Sequence, residues 1–462
     1  MNIVIVGAGD VGLHSARVLS GGESNVIVID RDARKLETIS RNIDVATRVG
    51  DATDWQILEE LTELRPKLFL ALTNRDETNL TACAIAKSLG YAQTVSSIKN
   101  AHYLNCSRVD FGRIFCVDHF IAPSVLTAEE IYKGIVATGS ISSESFAHGS
   151  VQMRTFVVPN NWRKADRKLR DLSLPEGMIV GFISRFLGKN LVKGGKGEAE
   201  DKKRQFIFPH GDDCIFPGDE VTVIGESDVI ADSHQVFGIS QKSVKSVVII
   251  GGSREGLQLA KILERRRINV RLIEKDYDRC CYLSEELVAA TVLYHDGTDF
   301  GFLQSEKVGK ADVFVACTHS DETNLLCAVL GKEVGCDHVI TVISDTSYIP
   351  ILINLGICYA VSPRMSAVNR ILSIIQKETI ASMVSLYEDK AEVMEIRVSL
   401  DSRLAGIPIM ELGPQLPKDF LIAIIQNRGR IMVANGERIL SPGDTVIAIT
   451  SPRHSKGLRQ LF

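Results

Sequence analysis

The residues best suited to chemistry in this chain are Gly7-Ala8-Gly9-Asp10-Val11-Gly12, which follow the apolar run 3–6, and Asp30, which closes the apolar run 26–29. Glycines at this spacing let a buried strand turn sharply into a helix, let the backbone approach a pyrophosphate, and let helix and strand pack closely. The phosphates then meet free N–H groups and the positive end of the helix dipole. An acid at the end of the second strand suits the paired hydroxyls of an adenosine ribose and repels a 2′-phosphate. The chemistry is nucleotide binding, with NAD or another nucleotide of unphosphorylated ribose preferred over NADP.

The set recurs in the second half. Val247-Val248-Ile249-Ile250 runs into Gly251-Gly252-Ser253-Arg254-Glu255-Gly256, and Glu274 closes the apolar run 270–273. Two further signatures repeat: Gly50-Asp51-Ala52-Thr53-Asp54 against His295-Asp296-Gly297-Thr298-Asp299, and Asp76-Glu77-Thr78-Asn79 against Asp321-Glu322-Thr323-Asn324. A chain built from two copies of one binding unit fits a sensor better than a catalyst. The second copy departs from the pattern at Ser253, where a Cβ intrudes on the place of the second glycine. Arg254 could compensate with a charge-assisted phosphate contact. Lys99, at the end of the run 95–98, can reach phosphate or ribose oxygens, whereas its counterpart Ser344 offers only a hydrogen bond. The second site therefore binds weakly, binds a different nucleotide, or is structural. The acids Asp76, Glu77, Asp321 and Glu322 read best as helix N-terminal residues favoured by the dipole, with a ligand or intersubunit contact as the alternative.

These residues need a scaffold of short parallel strands alternating with helices. Strand-length apolar runs lie at 3–6, 26–29, 45–49, 67–72, 94–98 and 113–117, with helical stretches at 12–19, 33–41 and 77–89. That alternation predicts an α/β fold with a doubly wound parallel sheet. Amphipathic helices follow Pro123 and Pro363, at 125–136 and 367–380; each fits packing on its own domain or crossing to a partner subunit. Strands of a small mixed sheet are expected at 156–159, 179–185, 206–209 and 221–224, and again at 393–398, 421–426, 431–433 and 445–450. Pro217-Gly218-Asp219 and Pro442-Gly443-Asp444 carry turn chemistry before each last strand. Linkers are expected at 139–150, 235–245 and near 388–391, and a hairpin insertion at 189–204. The expected order is large domain 1–138, small domain 150–234, large domain 245–384, small domain 390–462.

Composition sets limits. The chain has 462 residues, a formal net charge of -4 and ten cysteines. There is no basic surplus of the kind nucleic-acid binding needs, no apolar run approaching a membrane span of about 20 residues, and no signal peptide. The cysteines lack metal spacing, and Cys83, Cys317 and Cys327 lie in apolar stretches as small hydrophobes. A soluble, intracellular protein without a metal site is expected. The rival reading is an NAD-dependent dehydrogenase, which needs a proton donor beside the nicotinamide. No tyrosine has a lysine four residues later, and His319, beside Thr318, has Asn74 as its counterpart, which cannot transfer a proton. A scaffold with vestigial sites is a third reading, opposed by Gly9, Asp30 and Lys99.

On these signatures, in duplicate and in order, the chain resembles the RCK proteins (regulators of K+ conductance), with RCK N-terminal and C-terminal domains each present twice, in the tandem layout of the peripheral component of bacterial Trk potassium uptake. The resemblance implies no enzymatic activity. It implies a cytoplasmic regulatory subunit at the inner face of the plasma membrane, forming a homo-oligomer, a tetrameric ring, beneath a TrkH-like integral-membrane potassium transporter subunit. Its effectors would be NAD+, NADH, ATP or ADP. It puts Gly7, Ala8, Gly9, Asp10, Val11 and Gly12 on the pyrophosphate, Asp30 on the ribose, Asp51 near the adenine, and Thr73, Asn74 and Lys99 around the remaining ribose and phosphates. The matching second-site positions are Gly251, Gly252, Ser253, Arg254, Glu255, Glu274, Asp296, Thr318 and His319.

Overall fold

The computed structural model describes residues 1–20, 24–105, 108–136, 142–186, 204–239, 244–357, 359–375, 380–386, 390–412, 416–417, 419–427, 429–458 and 461–462. The expected insertion at 189–204 lies, apart from its last residue, outside the described residues, as do parts of all three expected linkers.

The first half opens with β1 (Asn2–Val6), α1 (Asp10–Ser20), β2 (Asn25–Asp30), α2 (Ala33–Asn42), β3 (Ala46–Val49), α3 (Trp55–Glu60), β4 (Leu68–Ala71), α4 (Asp76–Ser88), β5 (Gln93–Ser97), α5 (Phe111–Ile114), β6 (His119–Ile121) and α6 (Pro123–Val136). Its six strands form one sheet in the order β3-β2-β1-β4-β5-β6, every pairing parallel. Ile3, Val4, Ile5 and Val6 are fully buried, as a central parallel strand covered on both faces requires. Then come β7 (Ser142–Phe146), β8 (Val151–Val157), β9 (Met178–Phe186), β10 (Arg204–Ile207), β11 (Glu220–Glu226) and α7 (Ser227–Ala231).

The second half repeats the plan. It has β12 (Ser246–Ile250), α8 (Arg254–Arg265), β13 (Asn269–Glu274), α9 (Tyr277–Glu286), β14 (Thr291–Tyr294), α10 (Phe300–Ser305), β15 (Val313–Ala316), α11 (Asp321–Glu333), β16 (Val339–Val342), α12 (Ile349–Asn354), β17 (Tyr359–Val361) and α13 (Pro363–Ile375). The parallel order is β14-β13-β12-β15-β16-β17. Last come β18 (Ile380–Leu386), β19 (Ala391–Arg397), α14 (Ile409–Leu412), β20 (Phe420–Asn427), β21 (Arg430–Val433), β22 (Thr445–Thr450) and α15 (Pro452–Leu458). The two small sheets share one topology, β7-β8-β11-β9-β10 and β18-β19-β22-β20-β21. Gly218 and Gly443 take positive φ in the two Pro-Gly-Asp turns, where Asp219 and Asp444 accept from the N–H groups of Phe216 and Ser441.

The structure corrects four local expectations. The small sheets are antiparallel throughout, not mixed: the last strand of each, β11 or β22, inserts between two earlier strands and runs opposite to both. The run 113–117 is not a strand: Asp110 caps a short helix by accepting from the Arg113 N–H, and the last strand starts at His119. Residues 142–146, expected in a linker, form β7, an edge strand paired with β8. The helix after Pro363 ends at Ile375, and Ile380 begins a strand.

The chain divides into two compact units. One comprises Met1–Ile135 and Val244–Leu372 and holds both parallel sheets; the other comprises Val136–Ser243 and Ser373–Phe462 and holds both antiparallel sheets. Within the first, α6 answers the question its sequence left open. Ala128, Ile131 and Ile135 pack with Val247, Ile249, Leu259 and Leu263 of the second half, so the helix crosses to the other large domain of the same chain. Tyr359 donates to the Glu130 carbonyl at 3.3 Å, against the Cβ-free face of Gly134. Within the second unit, Val151, Met153 and Phe182 share a core with Val393, Ile424 and Ile447. Among the described residues no helix is long and apolar enough to cross a membrane, and no cluster of three metal-ligating side chains occurs.

Candidate functional site

In the first unit the C-terminal ends of both parallel sheets open onto one cleft of about 690 Å³. Of the residues singled out in the first half, Gly7, Gly9, Asp10, Val11, Asp30, Thr73, Asn74 and Lys99 line it. Ala8, Gly12 and Asp51 do not. Gly12 lies beneath the loop, where an added Cβ would meet the Gly7 carbonyl oxygen at 1.9 Å, so this glycine serves helix–strand packing. Gly7 has φ +104° and is pressed against the Leu72 carbonyl. Gly9 is different in kind. Nothing of the protein lies within 4 Å of a Cβ built there, so no internal contact demands glycine at this position. It also gives the first turn of α1 no side-chain acceptor, at a helix start whose residues Gly9, Asp10 and Val11 line the cleft.

Asp30 is aimed by the backbone. One oxygen accepts from the Ala8 N–H at 2.6 Å and the other from the Asp32 N–H at 2.9 Å, leaving part of its acceptor capacity toward the cleft. Thr73 is fixed by Asn79, whose Oδ1 takes both the Thr73 N–H and hydroxyl while its amide donates to the Thr73 and Ser97 carbonyls. Asp76 accepts from the N–H groups of Lys99 and Asn100, both at 2.9 Å, and so ties the start of α4 to the end of β5. Asp321 does the same for Ser344 and Asp345. These two acids are clamps that hold the cleft's rim. Asp51 accepts from the Thr53 N–H and hydroxyl and pairs with Arg31; the Thr53 N–H, with the hydroxyl and Arg31, holds its carboxyl below the usual value.

The second half is built to a different result. Arg254, Glu255, Thr318 and His319 line the cleft, but Gly251, Gly252, Ser253, Glu274 and Asp296 do not. Ser253 is buried, and its hydroxyl accepts from the Gly256 N–H at 3.1 Å, capping α8 from within. Ser253 is therefore withdrawn from the cleft lining, and its oxygen occupies the helix start. The Glu274 carboxylate takes three backbone N–H groups, from Gly252, Lys275 and Asp276. Arg279 braces the loop by donating to the Gly252 carbonyl at 2.6 Å, whereas Lys35, at the matching place, lines the cleft. Asp296 accepts from the Thr298 N–H and hydroxyl, which lower its pKa.

Four cations outside the expected site residues also line this cleft: Arg31, Lys35, Arg75 and Arg364. Arg31 and Lys35 sit within five positions of Asp30, and Arg75 lies between Thr73 and Asp76, so proximity to the motifs was their signal. Arg364 had none. It is the second residue of α13 in the second half, and it reaches Asp10 of the first-half loop at 3.3 Å.

Against known proteins, residues 3–119 and 247–363 match the TrkA-N domain family, and residues 393–462 match the TrkA-C domain family. A protein of Methanosarcina mazei described as Trk system potassium uptake protein TrkA homolog 1 is 31% identical over 473 residues, covering 100% of both chains. An Archaeoglobus fulgidus TrkA homolog is 28% identical over 462 residues, again covering 100% of both. Among solved structures, the GsuK RCK domain superposes with a TM-score of 0.61 at 16% identity, covering 100% of this chain and 94% of its own. The GsuK channel bound to NAD gives 0.62 at 17% identity, covering 100% of this chain and 78% of its own. These structural likenesses show the fold.

Proposed function

Because this chain belongs to the TrkA family, we propose that it is the nucleotide-sensing regulatory subunit of a membrane potassium-uptake system. The same membership sets it among potassium-uptake proteins rather than dehydrogenases. The effector is NAD(H) or an adenine nucleotide, bound in the first-half cleft. Asp30 takes the ribose hydroxyls, the loop from Gly7 to Gly12 takes the pyrophosphate, Asp51 stands by the adenine, and Thr73, Asn74 and Lys99 hold the remaining ribose and phosphates. Four domains, 1–138, 150–234, 245–384 and 390–462, carry this arrangement. The subunit works as a homo-oligomeric, tetrameric ring at the cytoplasmic face of the membrane, docked on a TrkH-like integral-membrane potassium transporter subunit.

The observation that carries this reading is the contrast at the two helix starts. The first presents open N–H groups over a glycine that the protein's own packing does not require; the second is capped by Ser253. Anions are favoured at such an open start. Of the second set, Arg254, Glu255, Thr318 and His319 accordingly serve as a wall of the same compartment, while Gly251, Gly252, Ser253, Glu274 and Asp296 have a structural part outside it. The GsuK structures with NAD and with ADP support the choice of ligand class. Regulation requires only that the ligand prefer one arrangement of the large domains; a tenfold preference shifts that equilibrium by about 1.4 kcal/mol.

Calorimetric titration of the full chain with NAD+, NADH, ATP and ADP tests the reading, beside Asp30→Asn. Saturable binding, weakened about tenfold (about 1.4 kcal/mol) in the variant and without consumption of the nucleotide, is the expected result. No binding of any of the four removes the sensor reading.

A further inference from the structure

We propose that Arg364 is a phosphate-binding residue of the first-half cleft, supplied by the second half of the chain, and that it selects ligands carrying a pyrophosphate. The inference rests on the nucleotide reading above and adds a determinant that the glycine motif does not contain. Arg364 lines the cleft, and its guanidinium stands 3.3 Å from the Asp10 carboxylate at the first residue of α1. An anion seated at that helix start is therefore within reach of the same guanidinium. The next residue on α13 anchors it, since the Met365 sulfur lies 2.9 Å from His14 Nε2 on α1.

The pairing with Asp10 is a weak one. The Asp10 side chain is 74% exposed, and exposed ion pairs contribute little. A phosphate oxygen offers guanidinium a bidentate, charge-assisted partner instead. A pyrophosphate arriving beside Asp10 meets a like charge, so Arg364 neutralises the very carboxylate that would oppose binding. The mirror position shows the specificity of the arrangement. Ser124 is the second residue of α6 as Arg364 is of α13, and in the second-half loop Arg254 replaces Asp10; all four line the cleft. The cation comes from across the cleft in one case and from the loop itself in the other. A ligand in the first cleft consequently touches both halves of the chain, and its grip depends on their separation. That is how binding energy becomes sensitive to the angle between the large domains.

The test titrates the full chain with ADP, NAD+ and adenosine, using the natural protein, Arg364→Ala, Arg364→Lys and Asp10→Asn. Arg364→Ala should weaken ADP and NAD+ about tenfold and leave adenosine within about twofold, because adenosine lacks the phosphates that meet the guanidinium. Arg364→Lys should recover part of the loss, and Asp10→Asn should bind ADP at least as tightly as the natural protein. Unchanged ADP affinity in Arg364→Ala, with natural affinity in the parent, overturns this inference alone. An equal loss for adenosine and ADP overturns it too, since that is the mark of a helix merely held in place. Failure of the natural protein to bind any of the three overturns both this inference and the reading beneath it.

Discussion

Gly9 and Gly12 are three positions apart in one motif, and alanine at each should have opposite effects. At Gly12 an added Cβ would stand 1.9 Å from the Gly7 carbonyl oxygen and 3.0 Å from its carbon, both backbone atoms with no freedom to swing aside. Overpacking of this sort costs about 1–3 kcal/mol or more, and each kcal/mol lowers the melting temperature by about 2–4 °C in a domain of moderate size. At Gly9 the built Cβ has no neighbour within 4 Å, and its φ lies outside the left-handed region. Gly9→Ala should therefore fold normally, with a stability change within about 0.5 kcal/mol or a small gain from reduced freedom of the unfolded chain. Ser253 already demonstrates that this turn accepts a Cβ. The cost at Gly9 falls on the ligand, whose pyrophosphate must approach the backbone there; affinity for ADP and NAD+ should drop about tenfold to a hundredfold, or about 1.4–2.8 kcal/mol. Thermal melting and calorimetry on the two variants separate the effects. A Gly9→Ala protein that binds nucleotide as tightly as its parent would refute the argument that a phosphate lies against this loop.

Three further outcomes follow from the same geometry. Asp76→Ala leaves two rim N–H groups, of Lys99 and Asn100, without their acceptor; because both residues are exposed and water can replace the carboxylate in part, the cost should be about 1–3 kcal/mol in total, and an unchanged melting curve would contradict the clamp. Burial pushes the Cys317 and Cys327 thiols up to about 12 and the Cys336 thiol up to about 11, so a thiol reagent at neutral to mildly alkaline pH should label exposed Cys116 and Cys281 first. Mass spectrometry showing Cys317 modified in the folded protein would count against that core. The carboxyls of Asp51 and Asp296 sit below their usual value of 3.8, each lowered first by a threonine N–H. Depressed acids stabilise the fold above the unfolded pKa and lose that contribution as pH falls through the folded one. Stability should hold above about pH 4 and decline below it, as acid titration of the melting temperature would show.

Much of this was legible in the chain because duplication shows in the motifs themselves. The glycine loops, Asp30 and Glu274 lie at strand ends that apolar runs mark, and the parallel order follows from their alternation with helices. Local polarity misled at 142–146, where serines on an edge strand read as a linker, and at 113–117, where an Asp110 cap converts an apolar run into a helical turn. The roles of Asp30 and Glu274 could not be separated by residue type alone. Their difference lies in how many backbone N–H groups each carboxylate already serves, two against three. Arg364 was invisible for another reason: only the packing of the two large domains brings α13 to the first-half loop. The distance in sequence between Arg364 and Asp10 carries no trace of that contact.

If the proposed function holds, nucleotide in the first-half cleft controls potassium movement. The direct measurement is potassium flux through the membrane transporter reconstituted in vesicles with this protein, with and without NAD+, NADH, ATP or ADP. Flux should change with nucleotide when the natural chain is present, and the same change should need about tenfold more nucleotide when Asp30→Asn replaces it. A flux indifferent to all four nucleotides in the presence of the bound natural chain would contradict that function.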